Sequence, residues 1–130
     1  MAPGGKRKEE KLLTEAELEI MGVLWKLAQG TVNDVLAELP PGRAYTTVST
    51  IVRILEQKGF VRARKEGRGH VYAPDVAREE YEARTVKDVV ARVFDGAPVA
   101  LARQLLQTET LSDADLAELR RLIDEREGKR

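Results

Sequence analysis

The densest chemistry in the chain lies between positions 43 and 70. Tyr45, Thr46, Thr47, Ser49 and Thr50 place five hydroxyls within six positions, and Arg53 follows three residues on. Hydroxyls donate to and accept from base edges and phosphate oxygens, threonine methyls meet thymine methyls, and a guanidinium reaches guanine or phosphate. Hydroxyl and β-branched residues are poor helix formers, so stability alone gives little reason for such a run. The same stretch is basic: positions 42–70 hold Arg43, Arg53, Lys58, Arg62, Arg64, Lys65 and Arg68 against only Glu56 and Glu66. This is the chemistry of a surface that meets nucleic acid.

Other chemistries are excluded by what is missing. The 130 residues contain no cysteine and one histidine, His70, which removes disulfides, thiolate metal sites and histidine clusters. Ser49, Ser112 and His70 are too far apart in the expected fold to form a nucleophile and its base, so no enzyme, metal or cofactor is expected. His70 itself is expected to pack or hydrogen-bond within a strand. Hydrophobic residues make up 42% and charged residues 34%, the mix of a folded globular protein. No apolar run of about 18 residues occurs, and the first 11 positions are charged where a signal peptide needs an apolar segment. The expectation is a cytoplasmic protein without membrane contact.

Overall charge is balanced at 22 basic and 22 acidic residues, yet the halves differ. Positions 1–74 carry 12 basic and 9 acidic residues, and positions 75–130 carry 10 and 13. Position therefore matters more than the sum.

The elements that must hold the hydroxyl run follow from local signals. Positions 1–11 read as a disordered tail. Thr14 and Glu17 have the spacing of a capping box, and Leu18, Met21, Leu24 and Trp25 follow at helical spacing, predicting a helix over 14–28 that ends near Gly30. Thr31 and Asp34 repeat the cap before Val32, Val35, Leu36 and Leu39, a short second helix stopped by Pro40, Pro41 and Gly42. Val48, Ile51, Val52 and Leu55 fall within roughly 60° of one another at 100° per residue and predict a third helix over 45–58. The opposite face then carries Thr46, Thr50, Arg53 and Gln57, with Ser49 at its edge and Tyr45 and Thr47 near the start. After Gly59 the period shifts toward two, and short strands on either side of a turn over 66–69 make a hairpin. Arg62 and Arg64 share one face of it, and Lys65 and Arg68 flank its turn, a supply of cations suited to a phosphate backbone.

Three helices and a hairpin in this order form a winged helix, expected over 12–74. A helical domain is expected over 75–130, with helices over 76–94, from Pro98 to about 107, and from the Ser112–Asp115 cap to about 125. The fold class is thus mainly α with a small β-hairpin: an N-terminal winged helix followed by a C-terminal three-helix dimerisation domain.

The dimerisation reading comes from unpaired apolar stripes. Val86, Val89, Val90 and Val93 form one, Leu101, Leu105 and Leu106 a second, and Leu116, Leu119, Leu122 and Ile123 a third. A fragment of this size can hardly bury all three alone. A second copy would cover them and present two reading helices to a dyad site. The alternative is that the stripes fold back on the winged helix of the same subunit.

Four segments carry a family resemblance: LTEAELEIMGVLW, AYTTVSTIVRILEQKGFV, KEGRGHVYAP and LSDADLAELRRLID. Together they resemble the penicillinase and methicillin-resistance repressors of the BlaI/MecI/CopY type, over about 12–123. The resemblance implies a cytoplasmic bacterial homodimer that binds dyad operators with TACA and TGTA half-sites, with Thr46, Thr47, Thr50 and Arg53 at recognition-helix positions. It also implies two routes of induction in relatives, and the sequence departs from both. Where antibiotic-responsive members have an Asn-Phe bond cut after a sensor protease signals, this chain has Gln104-Leu105; where copper-responsive members have a cysteine cluster, it has no cysteine. The expectation is release through a sensor protease of altered preference, or through another route such as a ligand or a competing partner. A winged helix used only for protein contacts is the rival function, and the basic, hydroxyl-rich third helix is the feature it would not need.

Overall fold

In a computed structural model the described residues are 12–128. The tail expected over 1–11 lies outside them. Among the described residues, six helices and one two-stranded sheet follow in the order α1 (Glu15–Leu27), α2 (Val32–Glu38), α3 (Tyr45–Gln57), β1 (Val61–Glu66), β2 (Gly69–Pro74), α4 (Arg78–Val93), α5 (Pro98–Thr108) and α6 (Asp113–Gly128). The first five elements form a winged helix.

Reciprocal capping starts three of the helices. The Glu17 amide donates to Thr14 Oγ1 at 3.2 Å while the Thr14 amide donates to Glu17 Oε1 at 2.9 Å. Thr31 with Asp34 and Ser112 with Asp115 make the same exchange. The helix end at α3 is equally local. The Phe60 amide donates to the Leu55 carbonyl and the Gly59 amide to that of Glu56, with Gly59 at φ +86°, a Schellman motif that only a residue tolerant of left-handed backbone closes without strain. Because the Phe60 amide is spent on this cap, the strand begins one residue later than the period suggests.

The hairpin is antiparallel, with Val61 opposite Pro74 and Glu66 opposite Gly69, so the turn proper is Gly67-Arg68. Gly67 has φ +60° and Arg68 does not share a positive φ, the pattern of a type II′ turn. A rung is added on the far edge of β2, where Gly30 and Tyr72 exchange amide–carbonyl bonds of 2.9 and 2.8 Å. This gives Gly30 a different role from the expected helix stop. Helix α1 ends at Ala28, at φ +75°, and a Cβ on Gly30 would lie 3.1 Å from the Asp34 Cβ. The glycine is there for close approach.

The core of the first unit is built from Ile20, Met21 and Leu24 of α1, Val32 and Val35 of α2, and Val48, Val52 and Leu55 of α3. Phe60, Val61, Val76 and Tyr81 close it from below the hairpin. Leu18, expected on the apolar face of α1, is 40% exposed, and Glu17 is buried in its stead. The residues after Pro74 belong to this packing. Trp25 Nε1 donates to the Val76 carbonyl at 2.8 Å, which holds Val76 outside the helix and delays the start of α4 to Arg78. The Leu13 amide donates to the Tyr81 hydroxyl at 2.9 Å. One compact unit accordingly runs through Val86, and the second begins at Lys87.

In the second unit Pro98 opens α5 and none of the residues of α5 or α6 is buried. Helix α6 carries a charge network in which Arg121 bonds both Glu118 and Glu125. Along the stripes Val93, Leu105, Leu106, Leu119, Leu122 and Ile123 are exposed, while Val89, Val90, Leu101 and Leu116 are half-buried. Leu105, Leu106, Leu111, Leu116, Leu119 and Ile123 border an apolar groove of about 530 Å³ between α5 and α6.

Candidate nucleic-acid interface

Helix α3 divides cleanly by face. Val48, Val52 and Leu55 are buried, while Thr46, Thr47, Thr50, Arg53 and Gln57 are exposed and Ser49 is half-buried. Tyr45 is exposed at the start. The N-cap is Ala44, with no side-chain bond to the helix amides, so these hydroxyls are not consumed in capping. The Arg53 guanidinium reaches only the Ser49 hydroxyl, at 3.5 Å, and is otherwise free of acid partners among the described residues.

The cations counted in sequence do not share one fate. Arg43 donates to both carboxylate oxygens of Glu19, at 2.5 and 3.1 Å, which raises its already high pKa. Lys58 donates to both oxygens of Glu17 at 2.8 Å. Burial pushes the Glu17 pKa up, but the bonds from Lys58 and the Thr14 amide outweigh it and leave it lowered. Two charges of the local surplus are thus neutralised by α1. In the wing Arg62 donates to Asp75 Oδ1 at 2.9 Å and the Pro74 carbonyl at 3.3 Å, and Arg64 lies 3.4 Å from both Gln29 Oε1 and Glu66 Oε1. Lys65 and Arg68 are exposed and have no acid partner among the described residues.

Strand alternation then sorts the wing. Ala63, Lys65, His70 and Tyr72 share one face of the hairpin, and Arg62, Arg64 and Val71 the other. The first face looks across a cleft of about 540 Å³ to the flank of α3, where Tyr45, Ser49, Arg53 and Glu56 meet Asn33 of α2 and the turn residue Arg68. The structure therefore brings Tyr45, Ser49 and Arg53 together with Arg68, places Thr46, Thr47 and Thr50 on the neighbouring outward surface, and sets Arg62 and Arg64 on the far side of the sheet. Asn33, Glu56, His70 and Tyr72 were not anticipated there. The Thr31 cap, which puts Asn33 in an exposed first turn, and the hairpin register, which places His70 and Tyr72, were the available signals for three of them. Tyr72 is tucked under this cleft, where burial above all, and then the nearby Glu56 carboxylate, raise its phenol pKa against the opposing effect of Arg53.

A family model described as penicillinase repressor matches residues 13–125. The penicillinase repressor of Bacillus licheniformis is 28% identical over 120 residues, covering 91% of this chain and 94% of that protein. The methicillin resistance regulatory protein MecI of Mammaliicoccus sciuri is 24% identical over 116 residues, 88% of this chain and 94% of the relative. Among solved structures, the DNA binding domain of the repressor BlaI is 35% identical, spans 53% of this chain and 87% of its own, and superposes with a TM-score of 0.48. The monomeric form of Bacillus licheniformis BlaI, solved with the blaP half-operator, is 34% identical, with coverage of 55% and 89% and a TM-score of 0.47. The family is one of repressors and not of enzymes. With a winged helix whose third helix turns unspent hydroxyls and an arginine outward, the chain belongs to the penicillinase repressor family, the BlaI and MecI type of DNA-binding transcriptional repressors.

Proposed function

We propose that the protein acts in the cytoplasm as a homodimer that represses transcription by seating α3 of each subunit in the major groove of one half of a dyad operator. The carrying observation is the division of α3, with Thr46, Thr50, Arg53 and Gln57 exposed directly opposite buried Val48, Val52 and Leu55. An entering helix places its N-terminal residues nearest the bases, which favours Thr46, Thr47 and Thr50 as readers and Arg53 as a guanine or phosphate contact. The wing contributes phosphate contacts through Arg64, Lys65 and Arg68, while Arg62 serves chiefly to hold Asp75. The operator takes the TACA/TGTA form of the family this chain resembles.

Dimerisation is favoured by the second unit. A helix that exposes Val93, followed by helices exposing Leu105, Leu106, Leu122 and Ile123, leaves large apolar side chains in water that a partner would cover. Covering it with a second copy sets two reading helices at the spacing of a dyad. Release from DNA follows from a signal that acts on this unit, through a sensor protease of preference other than Asn-Phe or through a ligand. Nuclease footprinting on the gene's own upstream region tests the reading: protection of two half-sites about one helical turn apart supports it, and uniform weak protection overturns it.

A further inference from the structure

We propose that Glu56 is a specificity-determining residue, an anion on the flank of the reading helix that repels phosphate from the cleft between α3 and the wing and so penalises every register but the operator's. The proposal rests on the reading of α3 as the DNA-contacting helix. Glu56 borders the cleft together with Arg53 and Arg68, cations that attract phosphate. Attraction of this kind carries no sequence information and strengthens binding to any duplex. A carboxylate among them changes the balance, because a misplaced backbone that enters the cleft meets a like charge, whereas a duplex held by base contacts on the outward face is spared it.

Nothing in the stability of the fold accounts for an acid at this position. Glu56 is the penultimate residue of α3, where the negative end of the helix dipole disfavours an anion. Its neighbours in the first unit are spoken for: Glu17 binds Lys58, Glu19 binds Arg43, Glu66 lies by Arg64, Asp75 binds Arg62, and Asp34 caps α2. Glu56 is exposed and forms no ion pair among the described residues, although Arg53 is only one turn away and turns instead to Ser49. Tyr72 lines the same cleft as Glu56.

The test compares the full chain with its E56Q variant on two duplexes at about 0.1 M salt, one carrying a TACA/TGTA dyad and one a scrambled sequence of equal length and composition. E56Q removes the charge, keeps the shape and relieves the dipole, so it folds at least as well. It is expected to bind the scrambled duplex about three- to eightfold tighter, the change that one phosphate-facing charge produces, and the dyad less than twofold tighter. The variant E15Q, the same charge change on α1 away from the cleft, leaves both affinities within about 1.5-fold, the reach of a change in net charge alone. Unchanged binding of the scrambled duplex by E56Q, or an equal gain in E15Q, overturns the proposal, as does a loss of dyad affinity in E56Q, which would make Glu56 a base reader. Equal binding of the two duplexes by the unaltered chain overturns the operator reading and, with it, the role of Glu56 in specificity.

Discussion

The Lys58 ammonium donates to both oxygens of the Glu17 carboxylate at 2.8 Å, joining the first turn of α1 to the residue that ends α3. The pair is largely shielded, with 7% of the Glu17 side chain and 21% of that of Lys58 exposed. It fixes the far end of the reading helix against the body of the domain. Lys58→Met strands the carboxylate and should lower unfolding free energy by about 1 to 3 kcal/mol in urea titrations. Since the Glu17 pKa is lowered on folding, the unfolded chain binds more protons in acid, and this contribution is present above the ordinary glutamate range, about 4.3, and is lost as pH falls below it. In Glu17→Gln that part of the acid dependence disappears; an unchanged pH profile would show that the pair contributes nothing.

On α3, Arg53→Ala and Thr50→Val should each weaken operator binding by about 1 to 3 kcal/mol. Both side chains are exposed and outside the core, so circular dichroism and thermal midpoint should stay those of the parent. Unaltered affinity in a titration would remove α3 as the reading element.

For the wing, the distinction is between free and occupied cations. Arg68→Ala should weaken dyad and scrambled duplexes alike and reduce the slope of log affinity against log salt by about one. Arg62→Ala, whose guanidinium is held by Asp75, should leave that slope within about 0.3 of the parent. Equal effects of the two substitutions would mean that Arg62 leaves Asp75 when DNA binds.

In the second unit, Leu105→Glu combined with Leu119→Glu places two charges on the groove between α5 and α6. Sedimentation should then find monomers, and affinity for a full dyad should fall by about 100-fold or more as linkage between half-sites is lost. A monomer that still binds the dyad tightly would defeat the dimer reading.

Much of this architecture was legible in the sequence because it is made locally. The Thr14–Glu17, Thr31–Asp34 and Ser112–Asp115 caps span three residues, the Gly59 stop and the Gly67 turn are set by the backbone freedom of single residues, and the apolar stripe of α3 repeats with the helix itself. Periodicity also sorted α3 into a core face and an outward face, since the side chains of a helix turn with its backbone. What only the tertiary structure decided are pairings between residues far apart in the chain. Glu17 reads as a cap residue and turns out to be the buried partner of Lys58; Gly30 reads as a helix stop and is a rung on the wing; Tyr81 and Val76 read as parts of a separate helix and close the core of the first unit. The basic surplus of positions 42–70 was visible as a count, but which cations remain free depended on acids brought from α1 and from beyond the hairpin. Charge is written in the sequence residue by residue, whereas its availability depends on distance, and distance between remote residues exists only once the chain has packed.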